Sequence, residues 1–219
     1  MTAAVADDVI EHTDPMGKAA LAARVAADIP AGSFVNLGIG QPTTVADHLD
    51  PARGVVLHTE NGMLGMGPAA EGDDIDLDLT NAGKVPVTEL PGAAYFHHAD
   101  SFAMMRGGHL DYAVMGAFQV SYGGDLANWS TGAPGSIPAV GGAMDLATGA
   151  RQVLVMMTLF AKDGSPKLVP SCTYPLTGVG CVNRVYTPEA IIECGPAGAV
   201  IAETFGVPAR ELLARLTRG

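Results

Sequence analysis

Aromatic side chains supply only 5% of this 219-residue sequence, and a single tryptophan, Trp129, is among them. The interior must therefore be packed by Ala, Val, Leu, Ile and Met, which with the other hydrophobic types reach 48% and suffice for one substantial core. Cysteine is scarce. Cys172, Cys181 and Cys194 are odd in number and lack CxxC spacing, which argues against a disulfide frame or a zinc site and reads as thiols of a reducing cytoplasm. No apolar run is long enough to span a bilayer. The opening MTAAVADDVIEHTD has neither the basic start nor the hydrophobic centre of a secretory peptide, so residues 1–13 are expected to be a loosely ordered arm. Basic residues are few, 12 against 23 acids, for a net charge of -11. That balance argues against nucleic acid and anionic membrane surfaces as partners. Internal repeats and low-complexity tracts are also missing.

What is present is a regular succession of short apolar segments. Asp14-Pro15 reads as a helix N-cap followed by proline at the first position. Leu21, Val25 and Ile29 then recur every four residues until Pro30 ends the helix. Ser33–Leu37 reads as a strand, GIGQPTT as the turn into a helix running to about Leu49, and Val55–His58 as the next strand. Further strands are expected at Leu110–Met115 and Gln152–Thr158. AIIEC and AVIAE flank Gly195-Pro196-Ala197-Gly198 as a hairpin, and VPARELLARL closes the chain as a helix entered through Pro208. This alternation predicts an α/β fold, a mixed, mainly parallel sheet flanked by helices, in one domain over residues 1–219.

Glycine gathers at three strand-to-loop junctions: Gly38-Ile39-Gly40, the turn after His58, and Val140-Gly141-Gly142-Ala143. Ligands of open α/β sheets sit at such places, although glycines also simply make tight turns. Gly38-Ile39-Gly40 lacks the third glycine and the distant acid of a dinucleotide fingerprint, so NAD is not expected. No metal is expected either. His97 and His98 are adjacent and point apart, and His109 lies further along, so structural histidines fit better than ligands. Arg106 reads equally as an anion contact or a salt-bridge partner. Ser130, Ser136 and Ser171 lack a nucleophile-elbow context.

The stretch HTENGMLGMGP, His58 to Pro68, holds one acid, Glu60, among glycines and apolar residues. Asn61-Gly62 favours a turn with positive φ that presents Glu60 at a strand end, and Met63, Leu64 and Met66 offer an apolar wall. Three readings are open: a capped structural acid, a general base, or a nucleophile. Poor solvation makes a carboxylate more nucleophilic and raises its pKa, so hydrogen bonds must keep it ionised. A nucleophilic carboxylate suits exchange of an activating group between carboxylic acids, because each step is nearly isoenergetic.

ENGMLGMGP, VNLGIGQPT, NAGK and GGAMDLATGA, in the family's order from about Lys18 to the final hairpin, resemble the B half of the class I (3-oxoacid) CoA-transferases. The resemblance implies that Glu60 forms an acyl-glutamyl anhydride and then a glutamyl-CoA thioester. It also implies that Asn36 lines the site, that Gly141 and Gly142 offer backbone donors to the thioester oxyanion, and that Lys84 lies nearby. Gln41 departs from the apolar residue common at its position in relatives. CoA would be substrate and covalent intermediate, with no permanent cofactor. An acidic chain is an awkward host for CoA phosphates, which the resemblance answers with a separate A subunit, in an A–B pair or heterotetramer in the cytoplasm. NWSTGAPGSIPAVGGAMD is more similar to the 3-oxoadipate (β-ketoadipate) group, which acts in aromatic-compound catabolism, than to the acetoacetate group. Ser130, Thr131 and Ser136 are then candidates to hold the second carboxylate. The expectation is CoA transfer from succinyl-CoA to 3-oxoadipate, with acetoacetate as the runner-up acceptor; an acyl-CoA hydrolase using the same Glu60, and a non-catalytic assembly half of similar fold, are the rival readings.

Overall fold

The computed structural model describes residues 1–217 apart from Pro134, Ser136, Pro138 and Ala139. In chain order its elements are β1 (Thr2–His12), α1 (Lys18–Asp28), β2 (Phe34–Leu37), β3 (Val56–Thr59), β4 (Met63–Ala69), β5 (Val87–Tyr95) and α2 (His98–Arg106). There follow β6 (Tyr112–Gly116), β7 (Gln119–Ser121), β8 (Leu126–Ala127), α3 (Ala143–Gly149), β9 (Gln152–Met156) and β10 (Leu168–Val169). The chain ends with β11 (Val182–Tyr186), β12 (Ala190–Gly195), β13 (Gly198–Phe205) and α4 (Ala209–Leu216).

Ten strands form one sheet in the order β1-β13-β12-β11-β9-β6-β2-β3-β4-β5. The five central strands, β11 to β3, run parallel, and an antiparallel hairpin flanks them on each side, β12–β13 and β4–β5. The expected mixed, mainly parallel sheet flanked by helices is therefore what the chain adopts. The central strands are apolar on both faces, as a sheet covered on both sides requires. Ala113, Met115, Val153 and Val155 pack on one face with residues of α2, α3 and α4. Their alternates Val114, Leu154 and Met156 pack on the other with Leu21, Val25 and Ile29. Period-two side-chain alternation thus divides the core into two halves around one sheet. A smaller sheet, β10-β7-β8, stands beside the main one.

The first thirteen residues correct the expectation of a loose arm. Thr2–His12 is a full edge strand, parallel to β13, with a register irregularity between Val5 and Ile10. Ala3, Val5 and Val9 pack against the core, and that apolar rhythm is masked locally by Asp7, Asp8 and Glu11. The first helix also starts later than the Asp14-Pro15 signal, at Lys18 with Gly17 as its cap, because residues 13–17 bridge β1 to α1. The helix expected after Gly40 is wound as 3-10 turns, over Gln41–His48. The opposite edge of the sheet, β5, carries Pro91. No helix among the described residues is long and apolar enough to cross a membrane.

Candidate active site

The parallel strands β2, β3, β6 and β9 all end on the same side of the sheet, and Gly38, Glu60, Gly116 and Met157 follow or close them there. Glu60 stands in the turn between β3 and β4. The Gly62 N–H donates to the Thr59 carbonyl at 3.2 Å, and the Met63 N–H donates to Thr59 Oγ1 at 3.0 Å. The expected positive φ falls on Gly62, at 112°, and not on Asn61. A side chain at Gly62 would also run into the backbone carbonyl of Phe96, so glycine is required twice over.

Glu60 is half-buried, and burial pushes its pKa above the usual 4.5. The Gly142 N–H, placed to hydrogen-bond the carboxylate, and the nearby His98 ring both oppose that shift, while Asp145 adds to it. Gly142 lies so close that a Cβ there would stand 2.7 Å from the Glu60 carboxylate. Asp145 is itself held by Arg106, at 2.6 Å. The Arg106 guanidinium also lies 5.4 Å above the Phe102 ring. This decides between the two readings of Arg106 in favour of the ion pair. His97 caps α2 by accepting the Ala99 N–H at 3.0 Å, and His98 stacks on Phe102 at 4.8 Å. The two adjacent histidines thus do different things, as their opposed directions led one to expect.

Two cavities meet at Glu60, and Gly38 and Ile39 line both. The larger, about 570 Å³, is walled by Gln41, Phe118, Gly141, Gly142, Met157 and Lys167, among others. The smaller, about 250 Å³, includes Asn36, His58, Asn81 and Lys84. Of the residues singled out in the sequence, Gly141 and Gly142 therefore border one chamber and Asn36 and Lys84 the other. Lys84 is the one non-glycine with positive φ among the described residues, at 65°. The turn is pinned because Asn81 Oδ1 accepts the Gly83 and Val85 N–H groups at 2.8 and 3.1 Å. Such backbone conformations cost free energy and concentrate at functional sites. Ser130 and Thr131 line neither chamber, and the Ser130 hydroxyl is spent accepting the Gly132 N–H at 3.1 Å. Ser136 lies outside the described residues.

Three contributors were not visible in the sequence: Lys167, His98 and a buried polar chain behind Glu60. In that chain Asn36 Nδ2 lies 3.1 Å from His58 Nδ1 and 3.2 Å from the His58 carbonyl. His58 Nε2 lies 3.0 Å from Ser101 Oγ, which in turn reaches the Thr59 carbonyl at 3.1 Å. One assignment satisfies every atom: the Asn36 amide donates both protons, His58 is neutral with its proton on Nε2, and the Ser101 hydroxyl donates to Thr59. The two carbonyls just before Glu60 are thereby fixed. Burial lowers the His58 pKa to about 4.

That shift has a measurable consequence. The unfolded chain takes up a proton at the ordinary histidine pKa of 6.5, whereas folded His58 resists until about pH 4. Stability from this group is thus complete above pH 6.5 and is lost as pH falls from there toward 4. At about 1.4 kcal/mol per pKa unit, the loss reaches on the order of 2 kcal/mol by pH 5. Glu60, whose pKa is raised, acts with the opposite sign. The wild-type chain and a His58→Gln variant should therefore differ in urea midpoint by an amount that changes between pH 7.5 and pH 5. A constant difference would show that His58 titrates normally.

Known proteins resemble this chain over most of its length. The coenzyme A transferase family pattern matches residues 18–209. The B subunit of the 3-oxoadipate CoA-transferase of Pseudomonas putida is 63% identical over 191 residues, covering 87% of this chain and 89% of its own. The corresponding B subunit of Acinetobacter baylyi is 54% identical over 197 residues, covering 90% and 91%. Among solved structures, glutaconate coenzyme A-transferase of Acidaminococcus fermentans superposes with a TM-score of 0.66 at 16% identity, over 92% of this chain and 84% of that one, a likeness of fold. With its sheet, its glycine loops and its glutamate turn in the same chain, this protein belongs to the coenzyme A transferase family.

Proposed function

We propose that this chain is the B subunit of a transferase that moves CoA from succinyl-CoA to 3-oxoadipate through Glu60. The observation that carries the reading is the placement of Glu60: one half-buried carboxylate, touched by a backbone N–H, at the junction of two chambers. In the first half-reaction a Glu60 carboxylate oxygen attacks the succinyl thioester carbon and the CoA thiolate leaves, forming a mixed anhydride. The thiolate then attacks the glutamyl carbon and succinate departs, leaving a glutamyl-CoA thioester. The second half-reaction runs the same steps backward. A 3-oxoadipate carboxylate attacks the thioester, the thiolate returns to the oxoadipyl carbonyl, and Glu60 is regenerated. No ATP is consumed.

Gly141 and Gly142 are the candidates for donating N–H groups to the oxyanions of these steps, each such donor being worth about 3 kcal/mol or more. Asn36 acts through His58 in holding the turn. Lys84 supplies a cation at the smaller chamber. The exposed apolar residues at the rim, Ile39 and Phe118, fit the docking of a second chain. An A subunit at that face would also bring the cations that this acidic chain lacks for the CoA phosphates, in an A–B pair doubled into a heterotetramer.

The test is covalent capture. The complex of this chain with its co-expressed A subunit is incubated with succinyl-CoA and quenched with borohydride, and its peptides are mapped by mass spectrometry. Reduction should mark the peptide containing Glu60. An unmodified peptide in a complex that still binds CoA would remove Glu60 as nucleophile. Free CoA release without acceptor acid would instead favour a hydrolase.

A further inference from the structure

We infer that Lys167 is the residue that selects dicarboxylic acids, by gripping the far carboxylate of the acid whose near carboxylate reacts at Glu60. This deepens the proposed function and rests on it for the identity of the reaction, though not for the ligand class.

Lys167 and Glu60 line the same chamber, the one basic and the one acidic side chain among its described lining residues. Lys167 is held firmly. Its N–H donates to the Leu159 carbonyl and its own carbonyl accepts the Val120 N–H, both at 2.9 Å, immediately before β10 joins β7. The backbone position is therefore fixed by the smaller sheet, while Glu60 is carried by the turn after β3 of the main one.

The charge of Lys167 is half-buried and unanswered. Other partly buried cations of this chain are answered: Arg24 by Glu203 and Asp28, Arg184 by Asp28 and Glu193, and Arg53 by the Ala26 and Ile29 carbonyls. Lys167 has no ion-pair or hydrogen-bond partner for its side chain among the described residues, Glu60 included. Burial accordingly lowers its pKa with nothing to offset it. An unpaired, partly desolvated ammonium is costly unless an anion completes it. Here the open side is the chamber itself. The rest of the lining is mixed, with apolar Met115, Phe118, Leu146 and Met157 beside polar Gln41, Asn128 and Thr158. A chamber that holds one carboxylate, one ammonium and apolar wall suits an acid with a short hydrocarbon middle and a second carboxylate.

Two measurements test this. In the A–B complex, Lys167→Gln should raise KM for 3-oxoadipate about 100-fold, as expected when one partner of a desolvated charge pair is removed. Its kcat should stay within a few-fold, and its kinetics with 3-oxohexanoate, the same chain without the second carboxylate, should be unchanged. Separately, the four lysines Lys18, Lys84, Lys162 and Lys167 are labelled by reductive ¹³C-methylation, and the Lys167 resonance is assigned by its loss in the variant. Adipate should shift that resonance and hexanoate should not. A shift in a complex without CoA-transfer activity would support Lys167 as a dicarboxylate site while counting against the proposed reaction. Equal effects of Lys167→Gln on both oxo acids, no effect on either, or a resonance blind to adipate would overturn the inference.

Discussion

Glu60→Gln should lower kcat for CoA transfer about 100,000-fold or more, as removal of an essential nucleophile does elsewhere, while the protein folds normally. The glutamine is isosteric, but its amide cannot attack the thioester to give an anhydride. Stability should hold because the carboxylate is not a structural asset. Burial disfavours its charged form, and a neutral amide removes that desolvation cost. The melting temperature should therefore be unchanged or slightly raised. The same burial places the acid limb of kcat/KM above the usual carboxylate range, because the enzyme loses its nucleophile as pH falls through the raised Glu60 pKa. The assay is succinyl-CoA-dependent formation of 3-oxoadipyl-CoA by the A–B complex, paired with a thermal melt. A residual rate within 100-fold of wild type would remove Glu60 from the reaction path.

Gly142→Ala should cost about 1,000-fold in kcat, or about 4 kcal/mol of transition-state stabilisation, again with little change in stability. The backbone at Gly142 has φ -86° and ψ 9°, which alanine accepts, so the substitution brings no backbone strain. Its methyl would instead arrive 2.7 Å from the Glu60 carboxylate carbon and one oxygen, and 3.0 Å from the other. That is too close, and the side that yields is the free end of a flexible side chain. The carboxylate swings away from both its N–H donor and its attacking position. A displacement of about 1 Å at a reacting atom commonly costs about 100-fold, and loss of a backbone donor adds to it. Steady-state kinetics and urea unfolding of one preparation decide the matter. A variant that loses stability in step with activity would mean that Gly142 serves packing alone.

The candidate acid was more legible in the sequence than its setting. Glu60 could be singled out because a lone acid in a glycine-rich apolar turn is a local anomaly, and the turn is made of neighbouring residues. The strands around it could be read from short apolar runs, and the closing hairpin from its Gly-Pro-Ala-Gly tip. Lys167 offered no such signal. In SPKLVP it looks like any surface lysine, and only the pairing of β10 with β7 turns it toward the chamber. Ser130 and Thr131 show the converse, since proximity in sequence to Gly141 and Gly142 does not bring them to the chamber wall. Ser101 likewise belongs to an ordinary helix, and its partner His58 reads as no more than the end of a strand. β1 was missed because what stabilises it, β13, lies at the other end of the chain, and pairing across such separations leaves no periodic trace.

Among the described residues, the sheet that carries all this ends in β1 on one side and β5 on the other, each paired with a strand on one side only. A free strand edge invites another strand to pair with it. Here each border is made inhospitable by different means. On β1 the register irregularity between Val5 and Ile10 interrupts the ladder, and Asp7 and Asp8 place like charge there, which disfavours pairing with a second copy. On β5 Pro91 leaves a gap where an amide proton would be needed. A high acid content also works against strand-to-strand contact between copies, since like net charge repels. With strand pairing disfavoured at both borders, loops and side chains are the surfaces left for contact with another chain.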